Sequence, residues 1–217
     1  MRVFQVGVAG GVGRRLARLL VERGDEVSGM FRDPTQRETV SGLGATPVPG
    51  DLIKDSVDEL AQRMAQHDAV VFSAGAHGTG RDNTTLIDGR GLEKAADAAR
   101  LAGIKRFVLV SVIPDAGRAG ERSEGFEHYM AVKKQADVYL AGTDLDWTIV
   151  RPGTLTDGRG DGLVTAGPAI AYGDICRDNL AAFIAEALHT KGSSRVIVEV
   201  TDGSTPVREA ARAAFGA

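Results

Sequence analysis

Short apolar runs alternate along this chain with stretches in which apolar residues recur every three or four positions. Val3, Phe4, Val6 and Val8 form a run of strand type, glycines follow at Gly7, Gly10 and Gly13, and Leu16, Ala17, Leu19 and Leu20 then repeat at helical spacing. The expected order is strand, tight turn, helix. That helix ends at 22–24, where a glycine is a natural stop. Residues 26–31 read as a second strand, 35–43 as a short helix and 45–48 as a third strand; Asp55 is expected to cap a helix reaching about Met64. The runs DAVVFS at 68–73 and KRFVLVS at 105–111 are continuously apolar, as strands buried on both faces are. Between them Asn83 or Thr84 opens a long helix to about 102, and a further helix covers 126–140. DWTIV at 146–150 is a sixth strand that stops at Arg151-Pro152-Gly153.

Beyond Pro152 the rhythm loosens. Residues 153–177 hold six glycines and little period, so they read as loop with one or two short strands, 163–165 being a candidate. A helix at 178–189, a seventh strand at 195–200 and a closing helix at 207–215 complete the chain. Strands alternating with helices predict an α/β fold: one domain, 1–217, around a doubly wound, mainly parallel sheet of order 3-2-1-4-5-6 with the seventh strand at its edge. Segment 153–177 is expected to border a substrate at the carboxyl edge of that sheet.

Composition narrows the partners. With 26 basic and 29 acidic residues, a formal charge of −3 and no long run of either sign, the sequence carries no nucleic-acid or membrane-surface footprint. Cys176 is the single cysteine, which excludes an intramolecular disulfide and an all-cysteine metal site, and the four histidines show no ligand spacing. No apolar run approaches the ~18 residues of a membrane span, and the first residues enter a strand with no signal-peptide pattern, so a cytoplasmic protein is expected.

The chemistry begins at the glycines. Their three-residue spacing lets the backbone turn sharply and lets a phosphate approach the amides at the helix start, so Gly7, Gly10, Gly11, Val12 and Gly13 are candidate contacts for a dinucleotide pyrophosphate. At the end of the second strand, where such folds read the adenosine ribose, stand Arg32 and Asp33. Arg32, with Arg14 and Arg15 from the glycine turn, would place three guanidinium groups near a 2′-phosphate, which favours NADP over NAD; Asp33 is the objection. Tyr129 and Lys133 lie four apart on one helix face, where the ammonium is expected to lower the phenol pKa and so fit Tyr129 to exchange a proton with a carbonyl oxygen, while the lysine also holds the nicotinamide ribose. His128 and His77 are lesser candidates for ligand contact. Trp147 reads as core and Cys176 as an inert, partly buried thiol, while 112–125 reads as a loop that lids or borders a pocket.

These features together resemble the short-chain dehydrogenase/reductase superfamily. The resemblance is to its atypical single-domain members, Rossmann-like proteins that include flavin and biliverdin reductase-like and epimerase-like chains. It runs through the G-x-x-G-x-x-G turn, Gly50-Asp51-Leu52, Ser73-Ala74-Gly75, the 105–111 strand ending at Ser111, the Tyr129/Lys133 pair and Arg151-Pro152-Gly153. It implies that Asp51 and Leu52 contact the adenine, that Ser73, Ala74 and Gly75 underlie the cofactor ribose, and that Pro152 lies beside the nicotinamide. It also implies a catalytic hydroxyl after the 105–111 strand. Here Val112 and Ile113 occupy the positions where a second or third hydroxyl would stand. Either Ser111 takes the role from a shifted position or the triad is incomplete. The expectation is a reductase moving a hydride from NADPH to a small carbonyl, enone, quinone or flavin-like acceptor, as a monomer or homodimer. The alternatives are a non-catalytic NADP(H) redox sensor working through a protein partner and a nucleotide-sugar epimerase or dehydratase.

Overall fold

A nine-stranded sheet runs through the protein, and the order of its strands explains where the candidate residues collect. The computed structural model describes residues 1–114, 116, 120–121 and 123–216. Strands β1 (Arg2–Val6), β2 (Glu26–Phe31), β3 (Thr46–Pro49), β4 (Ala69–Phe72), β5 (Arg106–Val110) and β6 (Asp146–Pro152) pair in parallel in the order 3-2-1-4-5-6. β7 (Thr154–Thr156) and β9 (Asp174–Cys176) form a separate two-stranded ribbon, while β8 (Leu163–Gly167), β10 (Val196–Asp202) and β11 (Thr205–Pro206) extend the large sheet past β6. The seventh strand of the sequence reading, β10, is therefore not the edge. β8 lies antiparallel on it and β11 on β8, because the loose segment after Pro152 returns to cover an otherwise open strand.

Helices close both faces. Along α1 (Gly11–Glu22), the buried residues Val12, Leu16, Ala17 and Leu20 face the sheet. They share one core with α2 (Arg37–Gly42), α7 (Arg177–His189) and α8 (Val207–Phe215). On the other face, α3 (Val57–Met64), α5 (Arg90–Leu101) and α6 (Glu124–Ala141) build a second core around Phe4, Phe72 and Phe107. Two cores on two sides of one sheet are what continuous apolar strands require.

Local starts differ from the sequence reading in three places. Ser56, not Asp55, caps α3 in a capping box with Glu59, while Asp55 accepts a bond from Asp51 N. The long helix after β4 begins with α4 (Arg81–Asn83) and passes through a π-helical turn at Thr84–Gly89 before α5. Ser123 caps α6, accepting from Phe126 N at 3.2 Å. Of the expected 112–125 lid, residues 115, 117–119 and 122 lie outside the described residues. No helix among the described residues is long and apolar enough to cross a membrane.

Candidate functional site

The glycine turn is built by close approach. Gly7 has φ +88°, and a Cβ there would come within 2.5 Å of Ala74 N. One at Gly13 would run into Gly7 O and, at 2.9 Å, Val8 Cα. Gly10 N donates to Gly7 O at 3.1 Å, and Gln5 Nε2 donates to Gly13 O at 2.8 Å to lock the crossing of β1 and α1. Gly10 is the N-cap of α1; no side chain caps it, and no acidic residue lies in its first turn. The first amides of α1 are thus left for an anion, with the helix dipole behind them.

A cleft of about 410 Å³ opens from this turn over the ends of β1, β2 and β4, with Gly7, Gly10, Arg32, Asp51, Leu52, Ser73, Ala74 and Gly75 in its walls. Asp33 also lines it, but its Oδ1 accepts from both Thr35 N at 2.9 Å and Thr35 Oγ1 at 2.8 Å. Those bonds hold the Asp33 carboxyl below the usual carboxylate range. Asp51 is turned to its own loop too, accepting from Ile53 N at 2.8 Å. The expected trio of guanidinium groups is not assembled: Arg32 reaches the cleft, whereas Arg14 is exposed on α1 and lines neither this cleft nor the next cavity. Arg15 is drawn away to Asp178 at 2.5 Å and Asp157 at 3.5 Å. Gly13 and Pro152 are buried and line neither space.

Gly10, Ser73, Ala74, Gly75 and His77 also belong to a second cavity of about 560 Å³, so the two spaces form one groove. Gly11, Val12, Ser111, Tyr129 and Lys133 stand in the walls of this second part. Lys133 is 3% exposed; its Nζ donates to Val110 O at 2.9 Å and lies 3.9 Å from Asp88 Oδ1. Asp88, 2% exposed, comes from the π-helical turn and accepts from Ala76 N at 2.9 Å. Burial raises the Asp88 pKa and lowers that of Lys133, and each group's charge opposes the other's shift.

The phenol does not follow the sequence reading. Its pKa is raised, first because the groove walls desolvate it and then because the carboxylates of Asp88 and Asp137 oppose a phenolate. Lys133, four residues on, spends its charge on Val110 O and Asp88 instead. Ser111 lines the groove and is 5% exposed; its hydroxyl is buried against Asp137, whose raised pKa it opposes by hydrogen bonding. Asp137, beside it, is held by Arg151 at 3.0 Å.

Of the lesser candidates, His77 faces the groove while His128 Nε2 bonds Thr85 Oγ1 at 2.8 Å. Trp147 lies at the start of β6, in the second core. Cys176 is buried, its Sγ on Gly158 O at 3.3 Å. Among the groove residues that the sequence reading missed are Asp88 and Arg177. Asp88 is 45 positions from Lys133, so spacing carried no signal; an acid inside the helical run LIDG was the available hint.

Comparison with known proteins gives the family and the fold. A family model described as NAD(P)H-binding matches residues 7–191. An uncharacterized sugar epimerase of Bacillus subtilis (strain 168) is 36% identical over 212 residues, covering 97% of this chain and 98% of its own. Among solved structures, a Bacillus halodurans protein described as an NAD-dependent epimerase/dehydratase superposes with a TM-score of 0.89 at 35% identity, covering 98% of this chain and 99% of its own. An oxidoreductase of Lactococcus lactis gives a TM-score of 0.86 at 26% identity, covering 100% and 98%.

Proposed function

Because this chain belongs to the NAD(P)H-binding family, within the atypical short-chain dehydrogenase/reductase group, we propose that it is an NADP(H)-dependent reductase acting on a small carbonyl, enone, quinone or flavin-like acceptor. The observation that carries this reading is the continuity of the groove: one channel joins the uncapped start of α1 to Tyr129, Lys133 and Ser111 by way of Gly10 and Ser73–Gly75. What supports a dinucleotide in that channel is the tight turn: Gly7 and Gly13 let β1, the turn and α1 pack backbone to backbone, which brings the uncapped start of α1 to the groove wall at Gly10 and Gly11.

When bound, the reduced dinucleotide supplies a hydride; the protein's part is to hold, orient and protonate. The first amides of α1 take the diphosphate and Ser73–Gly75 underlie a ribose. Lys133, with one of its three N–H groups on Val110 O, offers the others to the nicotinamide ribose. Arg32 meets a 2′-phosphate. Asp33, whose Oδ1 is engaged by Thr35, is poorly placed to demand an unphosphorylated 2′-hydroxyl, and this favours NADP. Tyr129 keeps its proton until a carbonyl oxygen acquires negative charge, then gives it up. Ser111, in the same wall, orients that oxygen once its hydroxyl turns from Asp137 toward the groove. Segment 153–177 contributes Leu155 to the outer wall and borders the acceptor.

Oxidation of NADPH against quinones, flavins and small aldehydes, wild type beside Tyr129→Phe, tests this reading. Turnover should fall by about 10²-fold or more in the variant, the scale of a lost general acid. Turnover indifferent to Tyr129 would remove it from the mechanism. The names of two relatives, one a sugar epimerase and the other an NAD-dependent epimerase/dehydratase, favour a second reading, an epimerase of sugars. That activity would isomerise a sugar with no net consumption of NADPH, and the same assay separates the two.

A further inference from the structure

Arg177 opens α7, yet its side chain belongs to the glycine turn near the other end of the chain. A Cβ at Gly11 would come within 2.9 Å of Arg177 Cδ and 3.0 Å of its Nε, so the arginine stem crosses the start of α1 over a glycine, where no side chain blocks it. From there Arg177 forms part of the groove wall beside Gly10, Gly11 and Val12. Its ion-pair partner is Asp157, at 3.1 Å between Nη1 and Oδ2. The two ends of this pair are unequal: the Arg177 side chain is 22% exposed and that of Asp157 is 76% exposed. Arg15 also reaches Asp157, at 3.5 Å, but makes its shorter bond to Asp178 and a further one to Gly11 O. A sheltered guanidinium therefore rests on a solvated carboxylate, right beside helix amides that lack an acceptor.

The geometry points to Arg177 as a clamp on the dinucleotide diphosphate, which it grips from the α7 side by exchanging Asp157 for a phosphate oxygen. An ion pair with so exposed a carboxylate contributes little, whereas a guanidinium on a phosphate inside a groove makes charge-assisted, often bidentate bonds. The helix amides and Arg177 then hold the diphosphate from two sides, and Asp157 acts as its competitor. Asp157 directly follows β7, the strand that carries Leu155 into the groove wall. The exchange thus couples cofactor occupancy to the segment bordering the acceptor. This inference rests on dinucleotide binding and not on turnover.

Two substitutions with opposite expected signs test it, read by calorimetric titration. Arg177→Met keeps the stem against Gly11 and removes the charge. Affinity for NADPH and NADH should fall about ten- to a hundredfold, the scale of a lost charged hydrogen bond. Adenosine 2′-monophosphate, which has no diphosphate, should bind as it does to wild type. Asp157→Asn removes the competitor and should tighten NADPH by about two- to fivefold, the scale of an exposed ion pair. If the pair is only a structural tether, both variants lose thermal stability, NADPH and adenosine 2′-monophosphate weaken together, and Asp157→Asn tightens nothing; that pattern overturns the clamp. NADPH binding that Arg177→Met leaves intact overturns it as well. Wild-type protein that takes up neither NADPH nor NADH would instead overturn the dinucleotide reading beneath it.

Discussion

Tyr129 shows what sequence spacing carries and what it omits. The four-residue interval to Lys133 was legible and is realised, since both side chains stand in the groove. The direction of the tyrosine's pKa was not, because it depends on Asp88 and Asp137 and on a lysine already committed to Val110 O. Those partners come from other elements or from further along α6, and no local pattern announces them. The correction has a consequence for pH dependence. A phenol lowered toward neutrality would lose its proton as pH rises through 7, and reduction would slow. Tyr129, raised above its ordinary 10.0, stays protonated through that range. A pH–rate profile for reduction should therefore show no alkaline loss attributable to Tyr129 between about pH 7 and 10. A limb near neutrality that vanished in Tyr129→Phe would contradict this account. Asp88 matters here too: two buried opposite charges at 3.9 Å steady one another, and removing either leaves the other uncompensated.

At the scale of elements, strand and helix positions were legible wherever period and length agreed, from β1 to β6 and again in α7 and α8. Boundaries went astray where side-chain chemistry outweighed pattern, as with Ser56 and Glu59 taking the α3 cap from Asp55. The π-helical turn at Thr84–Gly89 was invisible in apolar spacing, although it aims Asp88 at Lys133; such turns recur at functional sites. The glycine turn allows its structural and binding roles to be separated. Gly13→Ala drives a Cβ into the backbone of Gly7 and Val8 and should cost about 1–3 kcal/mol or more of stability. Gly10 has φ −71°, which alanine accepts, and a Cβ there meets only Gly7 O, at 3.2 Å. Gly10→Ala should melt close to wild type and yet bind NADPH more weakly, because its methyl stands where a phosphate approaches the helix amides. Thermal denaturation beside a nucleotide titration reads both. Equal melting of the two variants would contradict the crowding described for Gly13.

For the whole molecule, the parallel order 3-2-1-4-5-6 brings the carboxyl ends of β1, β2, β4 and β5 to one edge. That is why Gly7, Arg32, Ser73 and Ser111, scattered through the sequence, share a single groove. The family resemblance pointed to this edge, and the NAD(P)H-binding match over residues 7–191 gives the family. The antiparallel extension through β8 and β11 was not legible, since residues 153–177 carry too many glycines for a period to show. Neither was the dispersal of the arginines, which depends on where Asp157 and Asp178 fall in space. Trp147 sits at the opposite end of β6 from the groove, so heat is a better reporter of binding than tryptophan fluorescence. Calorimetric titration with NADPH and with NADH, on wild type and on Arg32→Ala, tests the central claim most directly. The account predicts that both nucleotides bind, that NADPH binds about tenfold or more tightly than NADH, as one charged hydrogen bond allows, and that Arg32→Ala erases the difference. Binding of neither nucleotide, or an NADH preference untouched by Arg32, would contradict it.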